Sequence, residues 1–238
     1  MKNKNITIIE NSETNLVTKN NIIELFKAAA IISIRLSILP LPFSSPLDIL
    51  ISEGYQMVDK LLINKTVHEL DLKKVDKDYL YSNNFKNLLL KTMRLAFEES
   101  NKKKLKYFSK IIKNSLEVDN DNERKYNFEY IKVISELSIE QIYILEEFYN
   151  QQKTIFDEPK ENICSYITEN TQYHELSNII YEKYQIEKED YEFLLRRLLA
   201  TGLLENSEEY VNGSYISGVN RITPTLNKLM KKVMEENF

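Results

Sequence analysis

Histidine and cysteine, the side chains most diagnostic of transition-metal ligation or nucleophilic attack, are scarce: the chain has two histidines and one cysteine among 238 residues. His68 and His174 stand far apart, and neither belongs to the H-E-x-x-H spacing that places two imidazoles on one helical face. Cys164 lies in "NICSYI", among apolar positions of a helical pattern. It reads as a buried, inert thiol with no histidine in local catalytic spacing. Adjacent carboxylates occur at Glu98-Glu99 and Glu146-Glu147. Neighbours in sequence point to different azimuths of a helix, so both pairs are expected to face solvent rather than share a proton. Gly54, Gly202, Gly213 and Gly218 form no phosphate-cradling loop. The expectation is a protein that is not an enzyme and uses no cofactor or metal.

Cations are the remaining side chains with an evident role, and their distribution is uneven. The net charge is −4. Residues 1 to 134 hold 22 Lys/Arg against 17 Asp/Glu, or +5, whereas the remainder hold 10 against 19, or −9. The run "NKKKLKYFSK" alternates lysines with aromatics, which invites a phosphate-binding reading. Phe108 falls on an apolar stripe, however, and Lys102, Lys103, Lys104, Lys106 and Lys110 are expected to spread over several faces as a solvated surface beside a core. Attraction to the acidic C-terminal half, within the chain or between subunits, is another use for these charges.

Composition sets the class of element that must position these groups. Four glycines and 5 prolines provide few turns, and long stretches rich in Lys, Glu, Leu, Ile and Asn favour helices. The fold class expected is mostly α: an antiparallel helical bundle over residues 1–152, followed by a winged-helix-like domain with one small β-hairpin over 153–238. A lone cysteine, and a start "MKNKNITIIENSE" that reaches Glu10 before any apolar core, point to the cytoplasm.

The most apolar stretch is "NNIIELFKAAAIISIRLSILPLPFSSPLDILI". Between Arg35 and Asp48 lie only 12 residues, against the roughly 20 that a helical span needs. The reading is a helix from about Asn20 to Leu39, a "PLPFSSP" bend, and a second helix from Pro46 to about Ile63, with Ser45 as N-cap. Four further helices follow. Phe85, Leu88, Leu89, Thr92, Met93 and Ala96 line the first; Leu105, Phe108, Ile111, Ile112 and Leu116 the second. Phe128, Ile131, Ile134 and Leu137 mark the third, and Ile142, Leu145, Phe148 and Tyr149 the fourth, capped by Ser138. Short polar loops such as "DNDNE" join them.

The succession "VDKDYLYSNNFKNLLLKTMRLAFEESNKKKLKYFSKIIKNSL" and "FEYIKVISELSIEQIYIL" resembles an uncharacterised group of bacterial proteins with an apolar N-terminal hairpin and a helical middle. The best-matched positions are Phe85, Lys104, Phe108, Ile111, Leu116, Tyr130, Leu137 and Leu145, within Leu61 to Tyr149. The resemblance implies a shared fold and brings no activity with it. A looser similarity is to small α-helical modules linked with phage abortive infection.

After Pro159 the pattern reads helix, helix, helix, hairpin, helix. "ENICSYITEN" and "YHELSNIIYEKYQI" supply the first two. "KEDYEFLLRRLLATG" supplies the third, with Tyr191, Leu194, Leu195, Leu198 and Leu199 inward and Gly202 at its left-handed end. Asn212-Gly213 is a strong hairpin signal. Thr223 and Pro224 then start a closing helix with Leu226, Leu229, Met230 and Val233 inward. This order resembles winged helix-turn-helix regulators. The nucleic-acid candidates are Lys188, Arg196, Arg197 and Arg221, but Glu187, Glu189, Asp190 and Glu192 surround the helix start, and Glu205, Glu208 and Glu209 lie on the hairpin. Such a surface repels phosphates. The function expected is therefore that of a cytoplasmic interaction or adaptor protein of bacterial or phage conflict, with a protein partner or a second copy. A DNA-binding regulator and a membrane-acting effector built on Ala28 to Ile51 are the alternatives.

Overall fold

A computed structural model describes residues 17–38, 55–56, 58–118, 120–157, 171–211 and 214–234. These residues are mostly helical, with one small two-stranded antiparallel sheet. Helix α1 spans Lys19–Ile38 and buries Ile22, Phe26, Ala29 and Ala30. The expected bend, Ser45 cap and start at Pro46 lie outside the described residues. The second helix was expected to end near Ile63. Instead, a π-helical turn at Asp59–Asn64 leads directly into α2, Lys65–Glu69. Thr66 stabilises this junction: its hydroxyl donates to the Leu62 carbonyl and lies 2.9 Å from the Ser109 hydroxyl on a neighbouring helix.

The middle of the chain follows its apolar spacing. Helices α3 (Lys77–Tyr81), α4 (Asn83–Glu98), α5 (Lys102–Glu117), α6 (Asp121–Arg124), α7 (Asn127–Glu136) and α8 (Ile139–Asp157) occur in turn. The expected α4 and α5 stripes are buried along their whole length. Side chains satisfy the amides that a helix start leaves without partners. Asp76 accepts from the Tyr79 N–H at 3.0 Å, Ser82 from Phe85 at 3.1 Å, and Asn101 from Lys103 at 2.9 Å. Ser138 accepts from Gln141 at 3.2 Å while the Gln141 side chain accepts the Ser138 N–H at 2.9 Å, a reciprocal capping box. Within "DNDNE", expected as a plain loop, Asp121 begins the single helical turn of α6, capped by Asn120.

Helices α9 (Thr171–Tyr184) and α10 (Lys188–Ala200) follow, with Gln185 at φ 58° between them. Gly202 has φ 72°, the left-handed conformation expected of it after α10. Strands β1 (Leu204–Val211) and β2 (Ser214–Ile222) pair from Leu204↔Ile222 to Val211↔Ser214, with a register shift between Ser207 and Glu209. The Asn212-Gly213 turn is outside the described residues, as is the expected helix in "ENICSYITEN". Thr223 caps α11 (Pro224–Met234) by accepting from the Leu226 N–H at 3.2 Å, and Leu226, Leu229, Met230 and Val233 are buried as expected.

Helix α1 packs on α4, and α5 packs on the π turn, α2 and α7. Helix α8 touches α9, α10, β2 and α11, while α11 also crosses α5. One continuous apolar core results, from Val17 to Val233. Residues 152 and 153, where the sequence suggests a division, lie inside α8. Among the described residues, no helix is long and apolar enough to cross a membrane.

Candidate functional site

The most concentrated charge among the described residues lies along α5. Asn101 caps the start of this helix, and the 4, 4 and 3 residue spacing of Lys102, Lys106, Lys110 and Lys113 places them on one face. The opposite face carries Leu105, Phe108, Ile111, Ile112 and Leu116, all wholly buried. That amphipathic division turns the lysines outward, where Lys65 of α2 and Lys74 of the following turn meet them around a groove of about 960 Å³. Glu69 pairs with Lys65 at 3.0 Å and Glu117 with Lys113 at 2.6 Å. Lys74, Lys102 and Lys106 make no ion pair among the described residues. A groove with this balance holds a positive potential and attracts anions, more strongly at low salt.

Two lysines of the same run behave differently from the expected solvated surface. Lys104 is buried, pairs with Glu99 at 3.0 Å and donates to the Ser135 carbonyl at 3.2 Å. Glu99 is drawn inward by this pair, while Glu98 stays exposed. Lys103 lies over the Tyr143 ring, 4.4 Å from its centroid, and bonds to Glu146.

Glu146 and Glu147 are likewise not solvent-facing. Their side chains are 5% and 9% exposed, because α8 is covered by α5 on one side and α9 on another. Lys103 and Tyr107 donate to the two oxygens of Glu146, and Lys183 and Tyr184 both donate to Oε1 of Glu147. Burial pushes the Glu146 carboxyl above its ordinary pKa, against the pull of Lys103. Burial, reinforced by the bond to Glu147, pushes the Tyr184 phenol up to about 12. The Glu147 carboxylate raises the pKa of Lys183. Tyr143 and Tyr184 stack with centroids 4.2 Å apart. With both Glu146 oxygens engaged and Glu147 held through Oε1, this cluster ties α8 to α5 and α9.

A second unforeseen cluster surrounds Arg124. Its guanidinium donates to Asp76 at 2.7 Å and to the Ser115 carbonyl at 3.1 Å, and lies 3.9 Å from the Tyr79 ring centroid. The Tyr79 N–H and the arginine hold the Asp76 carboxyl below its ordinary pKa.

The four nucleic-acid candidates do not converge. Lys188, Arg196 and Arg197 are exposed on α10. Glu192 lies between Lys188 and Arg196 on one stripe and approaches Arg196 at 3.8 Å, while Arg197 lies over Phe193. Arg221 sits at the base of the hairpin opposite Glu205 and is partly buried. His68 is exposed, and its carbonyl accepts from Lys19 at 2.9 Å. His174 falls in α9, and Cys164 is outside the described residues. No group of three or more His, Cys, Asp or Glu side chains suited to a metal occurs among the described residues.

Compared with known proteins, the chain matches no family model, no curated protein and no solved structure.

The sequence held signals for some of what it failed to reveal. Ile142, Ile144, Leu145, Phe148 and Tyr149 surround Glu146 and Glu147 with apolar positions of α8, a signal that these carboxylates find partners inside. The 4-4-3 spacing of Lys102, Lys106, Lys110 and Lys113 was itself a signal that they share one helical face. Nothing local joins Arg124 to Asp76, 48 residues away.

Proposed function

We propose that this chain is a non-enzymatic interaction protein whose α5 groove docks an acidic segment of a protein partner. The observation that carries this reading is the alignment of Lys102, Lys106, Lys110 and Lys113 on one helical face, opposite Lys65 and Lys74. Protein is favoured over nucleic acid by the carboxylates interspersed along the groove, Glu69, Asp71 and Glu117, which repel a uniform phosphate backbone but suit an acidic segment in which basic residues are interspersed. Tyr107, the aromatic residue lining this groove, is buried and bonded to Glu146, so it presents no open ring for base stacking.

The test is co-purification with the tagged full chain from its native host, with and without nuclease, compared with Lys102→Glu plus Lys106→Glu. A partner retained after nuclease treatment, lost on charge reversal and weakened by salt supports the reading. Retention by the reversed variant, or loss on nuclease treatment, rejects it.

A second reading has α9, α10, the β1–β2 hairpin and α11 acting as a winged-helix DNA reader, favoured by the order of those elements. The carboxylate of Glu192 beside Arg196 counts against it. A gel shift at low ionic strength that disappears with Arg196→Glu plus Arg197→Glu would favour this reading over the groove.

A further inference from the structure

A separate cavity of about 460 Å³ opens where α6 and α7 meet α11. Its wall includes Asn114, Lys125, Tyr126, Tyr130, Lys228 and Lys232. The size falls within the range of about 300 to 1,000 Å³ typical of small-molecule sites. Lys232 is only 9% exposed, and a buried ammonium ordinarily has a carboxylate or several acceptors beside it. Its hydrogen bond is a long one, 3.4 Å, to the Glu123 carbonyl. Neither Lys125, Lys228 nor Lys232 is ion-paired among the described residues. Burial lowers the pKa of Lys232, and the charge of Glu123 at the rim opposes that effect. With Lys231 also lining the space, cations outnumber this one carboxylate.

Beside the ammonium groups stands an aromatic wall. Tyr130 is buried and Tyr126 half-exposed, with ring centroids 6.5 Å apart at 41°. Lys125 lies 5.5 Å from the Tyr126 centroid. A ligand matching both parts has a phosphate at one end and a planar ring at the other. We propose that this cavity binds a small phosphate monoester carrying a planar ring, of mononucleotide type, with its phosphate at Lys228 and Lys232 and its ring against the half-exposed Tyr126. The phosphate would add a counter-charge at Lys232, which makes no ion pair among the described residues, and Tyr126 would set a ringed ester apart from free orthophosphate. This site does not depend on the α5 groove reading, although Asn114 and Lys232 border both spaces.

Calorimetric titration of the full chain in phosphate-free, low-salt buffer with AMP, ribose 5-phosphate, inorganic phosphate and adenosine tests the proposal. The chain has no tryptophan, so tyrosine emission provides a second readout. AMP is expected to bind tightest. The exposed-site variant Lys228→Glu is expected to weaken it about tenfold or more, the loss of one charge-assisted contact. Tyr126→Ala should weaken AMP while leaving inorganic phosphate unchanged. No binding of AMP at millimolar concentration, equal binding by wild type and Lys228→Glu, or inorganic phosphate binding as tightly as AMP would each overturn the proposal. Unchanged thermal unfolding of Lys228→Glu keeps the comparison free of folding defects.

Discussion

Tyr107 and Glu146 join α5 to α8 inside the protein: the phenol donates to one carboxylate oxygen while Lys103, one turn away, takes the other. A carboxylate 5% exposed between two donors stabilises the interface only while both donors remain. Glu146→Ala leaves a cation and a phenol facing a void and is expected to cost about 3 kcal/mol. Lys103→Met combined with Glu146→Leu removes the charges together and should cost less than Glu146→Ala alone. Urea unfolding midpoints of the three proteins measure this. A double variant less stable than Glu146→Ala would mean that the pair stabilises the fold outright.

Acid titration should separate two carboxyls whose pKa values shift in opposite directions. Asp76 has a folded-state pKa below its ordinary 3.8, so its contribution is fully present above that value and is lost as pH falls through the lower folded value. Asp76→Asn keeps a side-chain cap but loses the charged bond to Arg124, which should destabilise by about 1.5 to 3 kcal/mol near neutrality. The gap to wild type should close below pH 3.8. Glu146, raised above its ordinary 4.5, favours folding at low pH, and that contribution is lost as pH rises through its folded value. The comparison is therefore cleanest with Glu146→Gln in both proteins. A gap independent of pH would rule out ionised Asp76 as its source.

The end of α10 depends on backbone conformation rather than space. Gly202 has φ 72°, and a Cβ built there meets nothing within 4 Å. Gly202→Ala should cost about 1 to 2 kcal/mol purely through the left-handed conformation. Gly202→Asn, which tolerates that region better, should recover part of this loss in thermal unfolding. Equal losses for both variants would point to a cause other than the dihedral angle.

Periodic apolar residues were informative wherever a helix has one solvent face. The stripes of α4 and α5, the Ser138 cap, Gly202 and the Thr223-Pro224 start were all visible at spacings of a few residues. Helix α8 broke the rule that adjacent carboxylates face water because several elements enclose it. The partners of Glu146 and Glu147 are 36 to 43 residues away, beyond any local pattern. The α5 groove was partly legible: Lys102, Lys106 and Lys110 were singled out in the sequence, whereas Lys113 was not, and Lys65 and Lys74 join them only through the packing of α2 on α5. The Lys232 cavity needed α11 folded against α5, a contact 118 residues apart through Asn114 and the Lys232 carbonyl.

Thr66 and Asn127 are both wholly buried, yet their polar atoms differ in one respect. The Thr66 hydroxyl is bonded to Leu62 and close to Ser109, whereas both amide atoms of Asn127 lack a partner among the described residues. Thr66→Val keeps the shape and loses the bond, leaving the Ser109 hydroxyl without its neighbour, so a loss of about 1 to 2 kcal/mol is expected. Asn127→Leu removes a desolvated amide that gains nothing from burial and should be neutral or stabilise by about 1 kcal/mol. Chemical denaturation of both variants shows whether the signs differ. Comparable destabilisation by Asn127→Leu would mean that this amide has a hydrogen-bonding partner in solution.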